Sequence, residues 1–197
     1  RNAHRQQSSS ILLIGTAASL VPFRIVSALK PSIMDRYVAD KAAFANALSP
    51  EVAGNLMYRP YRRGQMDLSD VRWLEYLDDP PDIHTGPLTS DLLRCRLAVI
   101  DHPGTTMNIT LAANTPTVCF WNPELVAYCD QAQPFFDRLR DVGILHDDAE
   151  AAARHVNGIA ADIAGWWQRD DTQSVRRQWA DAYARTDRIW WWSWLAA

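Results

Sequence analysis

The chain of 197 residues has only three cysteines, Cys95, Cys119 and Cys129, and no two stand at C-x-x-C spacing. An odd number without such a pair argues against a disulfide framework and against a zinc knuckle. The five histidines form neither an H-E-x-x-H motif nor a short pair, so no zinc-hydrolase signature is present. No apolar run reaches the ~18 residues that mark a membrane-spanning helix. Basic excess is missing too: the formal net charge is -3, which excludes a protein that coats nucleic acid through a broadly positive surface. Internal repeats and low-complexity tracts are absent. The expectation from these absences is a soluble, reduced, cytoplasmic protein with one domain or two small ones.

What the sequence does contain is a core and an unusual tail. Hydrophobic residues make up 48% of the chain, enough to bury a sizeable core. Seven of the nine tryptophans lie at or after Trp166. Packing on the protein body or on a second domain is the expected use of those rings. Membrane-interface contact is the sharper alternative, which Asp181 and Asp187 weaken. Near the start, Arg1, His4 and Arg5 precede an apolar stretch over 11–21 that contains Ala17-Ala18-Ser19. That imitates a signal peptide. Yet only Ile11-Leu12-Leu13-Ile14 is strictly apolar before Gly15-Thr16, which suits a buried strand better.

The polar, serine-rich residues 1–10 read as a linker or arm. A helix is expected over 34–48, with Ala39, Ala42, Ala43 and Ala47 as its small-residue face and Ser49-Pro50 as its stop. A short strand is expected over 55–61, a helix over 68–77 capped by Asp67 or Ser69, and a strand at Ile83. Residues 88–94 read as a helix with Leu88, Leu92 and Leu93 inward. Leu97-Ala98-Val99-Ile100 is the continuous apolar run of a parallel strand buried on both faces. A turn at 101–104, a helix over 105–113 and a strand over 117–121 complete a βαβ unit, hence a parallel sheet. Asp147 to Glu150 read as a capping box with Asp147 as the cap. Ala152, Val156, Ile159, Ala160 and Ile163 follow at helical spacing, and a further helix starts at Asp171 or Thr172 and runs through Arg185. The fold class is α/β, a Rossmann-like parallel sheet over 11–163 with Trp-rich helices over 164–197.

In such a sheet, ligands sit beyond the carboxyl ends of the strands. Three strand ends carry candidates: Gly15-Thr16; Arg59 with Arg62 and Arg63; and Asp101-His102-Pro103-Gly104-Thr105-Thr106. At the third, a glycine admits an anion close to the backbone, and the helix that follows opens with unpaired amides. Those amides and the helix dipole attract phosphate, with Thr105 and Thr106 as hydroxyl donors or caps. The arginines suit a diphosphate fork or simply a solvated face. Asp101-His102 can supply a base or a hydrogen bond, or serve structure alone. Glu124, after Asn122-Pro123, reads as a helix cap or a hydroxyl ligand. Neither a Walker loop nor G-x-G-x-x-G is present.

One family resemblance runs through most of the chain. The stretches Arg96-Leu97-Ala98-Val99-Ile100, Pro103-Gly104-Thr105-Thr106, Leu111-Ala112-Ala113-Asn114-Thr115-Pro116-Thr117-Val118, Phe120-Trp121 and Pro123-Glu124 carry it. So do Gly143-Ile144-Leu145-His146-Asp147, Asp162-Ile163, Trp166-Trp167 and the opening Ile11 to Thr16. Together they resemble the C-terminal region of bacterial surface-carbohydrate transferases with a GT-B glycosyltransferase fold. The resemblance implies a nucleotide-sugar donor bound by this domain, with Gly104, Thr105 and Thr106 around its phosphates and Arg59 on its diphosphate. Gly15, Thr16, His102, Asn108 and Glu124 complete the implied donor site. An acceptor, carbohydrate or lipid-linked, would be recognised mainly by an N-terminal domain outside this chain. No cofactor and no metal is implied, since no D-x-D motif occurs. Membrane contact would be peripheral, at the inner face. One departure stands out: related sequences carry an acidic residue after the threonine pair, where this chain has Asn108. Two other readings stay open: another nucleotide-linked enzyme of the same fold, such as an epimerase or polyol-phosphate transferase, and a non-catalytic interaction module.

Overall fold

The computed structural model describes residues 10–16, 31–61, 72–126 and 128–184. Short apolar runs, each too brief for a helix, form the strands: β1 (Ile11–Ile14), β2 (Leu56–Arg59), β3 (Asp82–Ile83), β4 (Leu97–Ile100), β5 (Thr117–Phe120) and β6 (Leu145–His146). They make one all-parallel sheet in the order β3-β2-β1-β4-β5-β6. Ile14 stands level with Arg59 on one side and Ile100 on the other. Every residue of β1, β4 and β5 is buried, as a central strand covered on both faces must be.

The helices are α1 (Pro31–Asn46), α2 (Pro50–Ala53), α3 (Leu88–Arg94), α4 (Thr105–Ala112), α5 (Gln133–Asp141), α6 (Ala149–Ile159), α7 (Ile163–Trp167) and α8 (Asp170–Trp179). Right-handed crossovers send the β1-to-β2 connection to one face and the β4-to-β5 connection to the other. Accordingly α1 packs against α6, while α8 packs on α4 and α5. Phe44 of α1 stacks on Phe120 of β5 at 4.9 Å. Tyr58 of β2 meets Trp73 edge-on at the same distance. A fully buried aromatic or aliphatic side chain of this kind contributes about 1.5–3 kcal/mol.

Several expectations need correction. The inward stripe of α1 is Met34, Val38, Lys41 and Phe44, continued by Leu48 just past its end; of the four alanines only Ala42 is buried, while Ala39 is exposed and Ala43 and Ala47 are half-buried. The longer side chains at i, i+4, i+7 spacing claim the core-facing line. In α3, Leu92 is buried but Leu93 is half exposed, because one further residue turns the side chain about 100° away. Asp148, not Asp147, caps α6, accepting from the Ala151 amide at 2.6 Å. β6 runs to His146, and Asp147 turns outward to Arg140 Nε at 2.7 Å. The helix expected over 68–77 falls partly outside the described residues, and its described end is a single 3-10 turn, Trp73–Tyr76. The last expected helix starts at Asp170 and passes at Ala180 into a π turn ending at Ala184; Arg185 lies outside the described residues. α5 and β6 are additions to the sequence reading.

Of the seven late tryptophans, the described three pack on the protein body and direct their ring N–H to a polar partner. Trp166 donates to the Val142 carbonyl at 3.2 Å, Trp167 to Asn114 Oδ1 at 2.9 Å and Trp179 to Asn108 Oδ1 at 3.0 Å. Arg176 adds a bond to the Leu111 carbonyl at 2.8 Å. The bonds to Asn108, Leu111 and Asn114 fasten the C-terminal helices along α4, and that to Val142 ties them to the end of α5. Asn114 also accepts from Gln173 at 3.1 Å, and with φ of 55° it ends α4 in the left-handed region. The tryptophans over 190–194 lie outside the described residues, as do residues 1–9. Among the described residues, no helix is long and apolar enough to cross a membrane. All three cysteines are free thiols, Cys95 and Cys119 buried and Cys129 exposed.

Gly143 has φ of 76°, and a Cβ there would strike the His155 ring at 2.6 Å. That ring lies tilted against His146 and edge-on to Trp166, and its Nε2 has no hydrogen-bond partner among the described residues. Burial, with the nearby His146 and Arg169 charges, pushes the His155 imidazole from 6.5 down to about 4. The unfolded chain therefore binds a proton that the folded chain refuses, so stability is full above pH 6.5 and falls as pH drops toward 4. Urea unfolding across that window should show this loss, and His155→Phe, which keeps a ring but removes the titration, should flatten it. An unchanged slope in the variant would assign the loss elsewhere.

Candidate functional site

The connections from β1 and β4 leave in opposite directions, so a crevice opens between their carboxyl ends. A cavity of about 240 Å³ occupies it, bordered by Thr16, Tyr37, Asp101, His102, Trp121 and Asn122. Gly15 lies buried at its root, its amide bonded to the Arg59 carbonyl at 3.0 Å, which carries the β1–β2 ladder one step past the strands.

Behind the cavity lies a buried polar cluster. Asp101 follows Ile100, so its side chain turns to the α1 face. There Lys41 Nζ approaches Oδ2 at 3.4 Å, with side-chain exposures of 1% and 2%. Lys41 also donates to the Tyr58 hydroxyl at 3.0 Å and lies 4.2 Å from the centre of the Tyr37 ring. Tyr37, one helical turn before Lys41, accepts the Thr16 amide at 2.9 Å and donates to Asp101 Oδ2 at 2.8 Å. His102 Nδ1 stands 2.8 Å from Asp101 Oδ1. Burial would raise the Asp101 carboxyl, but the Lys41 ammonium and the bonds from His102 and Tyr37 outweigh it and hold it below the usual carboxylate range. One cluster thus ties α1, the end of β1, β2 and the end of β4 together at the crevice.

The other expected residues lie around this centre. Gly104 precedes α4 in extended conformation; it and Thr105 are exposed, and Thr106 is half-buried. No side chain caps α4, and no acidic residue stands in its first turn. Its partial positive charge is thus left for an outside anion. Arg59 sits on the opposite sheet face from Tyr58, its Nη1 2.5 Å from both Asp91 Oδ2 and the Gly86 carbonyl. His84 holds the other Asp91 oxygen at 2.8 Å. Asn108 is taken by Trp179 on the outer side of α4. Glu124 is exposed, and the cap at its turn is Asn122, which accepts the Glu124 amide at 2.8 Å. Arg62 and Arg63 lie outside the described residues. Thr16 and His102 therefore share the cavity, whereas Arg59, Asn108 and Glu124 stand apart from it. Lys41 and Tyr37 were missing from the sequence reading. The signal was a lysine on the apolar line of a helix.

A family model described as LIC12162 family transferase matches residues 1–197. The chain belongs to the LIC12162 family of transferases. No curated protein matches it. As a LIC12162 family transferase it is an enzyme of group transfer, built on a sheet whose crevice opens at the switch point. Among its described residues, no group of three or more histidines, cysteines, aspartates or glutamates is placed to hold a metal ion.

In this transferase, Lys41→Met would strand a dry carboxylate at Asp101. The expected cost is about 3–5 kcal/mol of unfolding free energy. Adding Asp101→Asn should recover most of it, because the stranded charge goes too. Denaturant titration of the two variants checks this; equal stability of single and double variants would show the pair to be uncoupled.

Proposed function

We propose that this domain binds the nucleotide-sugar donor of a glycosyltransferase of surface-polysaccharide biosynthesis, with a GT-B arrangement. The acceptor, a carbohydrate or lipid-linked hydroxyl, is met across the cleft by an N-terminal domain. The observation that carries the reading is the uncapped, acid-free start of α4 beside the switch-point cavity. A fold by itself assigns no chemistry; an open helix N-terminus at a ligand crevice suits a diphosphate.

In the reaction, the acceptor hydroxyl oxygen attacks the anomeric carbon, a new C–O bond forms, and the hydroxyl proton is given up to the departing diphosphate or to solvent. The bond from that carbon to the diphosphate breaks, and its electron pair leaves with the diphosphate. Charge growing on the leaving group is met by the amides over 104–106 and the hydroxyls of Thr105 and Thr106. Arg59, two strands from β4 and hence about 10 Å away across the edge, adds positive charge on the diphosphate's other side. It does so while sharing itself with Asp91. Gly15 leaves room for close approach, the exposed Glu124 is a polar group for the nucleoside or sugar, Asn108 is already engaged by Trp179 and falls out of the donor site, and the donor is a substrate, so no separate cofactor is called for. The reading places the reaction at the cytoplasmic side, with membrane contact at most peripheral.

Nucleoside diphosphate at millimolar concentration should slow hydrogen exchange of the amides over 104–106. Absence of protection removes the donor from this chain. Arg59→Ala should weaken nucleotide binding by about 1.5–3 kcal/mol, the scale of a charged hydrogen bond. Calorimetry giving the same affinity takes Arg59 out of the site.

A further inference from the structure

The Tyr37 hydroxyl accepts the Thr16 amide, so its one proton is directed to Asp101 Oδ2, where Lys41 also approaches. Asp101 is thus an ionised acceptor, and its Oδ1 faces His102 Nδ1 at 2.8 Å. A hydrogen bond there requires the proton on Nδ1, which makes Nε2 the outward nitrogen. That outward edge lies over the start of α4: a Cβ on Gly104 would come within 3.2 Å of His102 Cδ2 and 3.5 Å of Nε2. The same ring borders the cavity. The Lys41 and Asp101 charges offset one another, so a proton added to His102 puts positive charge at the cavity wall, opposite in sign to the Asp40 carboxyl there.

We propose that His102 reads the donor's charge by donating Nε2–H to a diphosphate oxygen, and that Asp101, backed by Lys41 and Tyr37, is the positioning residue that presents it. This rests on the nucleotide-sugar reading and names a ligand contact within it. Binding then takes one proton from solvent onto Nε2, and no bond of the donor is made or broken. The titratable groups that share the cavity with His102 are Tyr37 and Asp40 from α1 and Asp101 beside it; Lys41 lies against Asp101 and is bonded to Tyr58 of β2. Among the described residues, β5 and the turn after it bring none to the cavity. Asp40, whose carboxyl burial pushes up against the pull of Arg36, is the group to be told apart from His102.

Nitrogen chemical shifts of His102 in the full chain, above the pH where the ring is cationic, should show the proton on Nδ1. A proton on Nε2 overturns the clamp, whatever the ligand does. The preference should vanish in Asp101→Asn combined with Lys41→Met, which strands no charge; persistence there overturns the positioning role. Binding is read with UDP-glucose and GDP-mannose, whose diphosphate diesters do not titrate near neutrality. Affinity should be higher at low pH than at high pH, and His102→Gln should weaken binding at low pH and flatten that difference. A slope that survives His102→Gln belongs to Asp40 and overturns the role of His102, while binding itself leaves the donor reading standing. If neither sugar nucleotide binds and the amides over 104–106 stay unprotected, the donor reading falls and this inference with it.

Discussion

Lys41 and Asp101 are charges almost wholly removed from water, and the carboxyl edge of the sheet is arranged around keeping them together. The pair bridges a helix and a strand end that lie sixty positions apart in the chain. Desolvating both groups costs several kcal/mol, and their attraction returns that only with good geometry and with the remaining protons and lone pairs satisfied. Tyr58 serves Lys41, while Tyr37 and His102 serve Asp101. An apolar pair of equal volume would hold α1 to the sheet as firmly. What it would not do is dictate which nitrogen of His102 carries a proton, or anchor the amide of Thr16.

The two sheet faces divide the labour. On the α1 face, Tyr58 and Asp101 build the cluster; on the other, Arg59 is held by Asp91, itself clasped by His84. Alternation along β2 is enough to send neighbours Tyr58 and Arg59 to these separate tasks. Family membership makes the chain a transferase, and the crevice between β1 and β4 is where this topology leaves room for a ligand.

The strands β1, β4 and β5 were readable because four consecutive apolar or β-branched residues, ended by glycine, an Asp-containing turn or, after Trp121, Asn-Pro, admit little else. α5 was not, since only Phe136 and Leu139 of its residues are buried amid charge, and β6 is two residues long. Thr16, His102 and Gly104 could be placed at strand ends because that position follows from order along the chain. The engagement of Asn108 by Trp179, of Arg59 by Asp91 and of Asp101 by Lys41 could not. Each is a pairing across a long stretch of chain, and one sequence carries no record of which distant side chain completes a polar group. Lys41 was the exception within reach: its place between Val38 and Phe44 on a buried line demanded a partner.

Asn114 shows how one side chain can answer two demands at once. Its left-handed backbone is the geometry that glycine adopts without cost, and on that ground alone glycine would be the better choice. But glycine has no side-chain oxygen to offer Trp167 and Gln173, and both of those donors are set back from solvent. The asparagine is thus a stop signal that doubles as a rivet. Trading it for glycine would relax the turn while loosening the helices behind α4, so local ease and long-range order pull in opposite directions at a single residue.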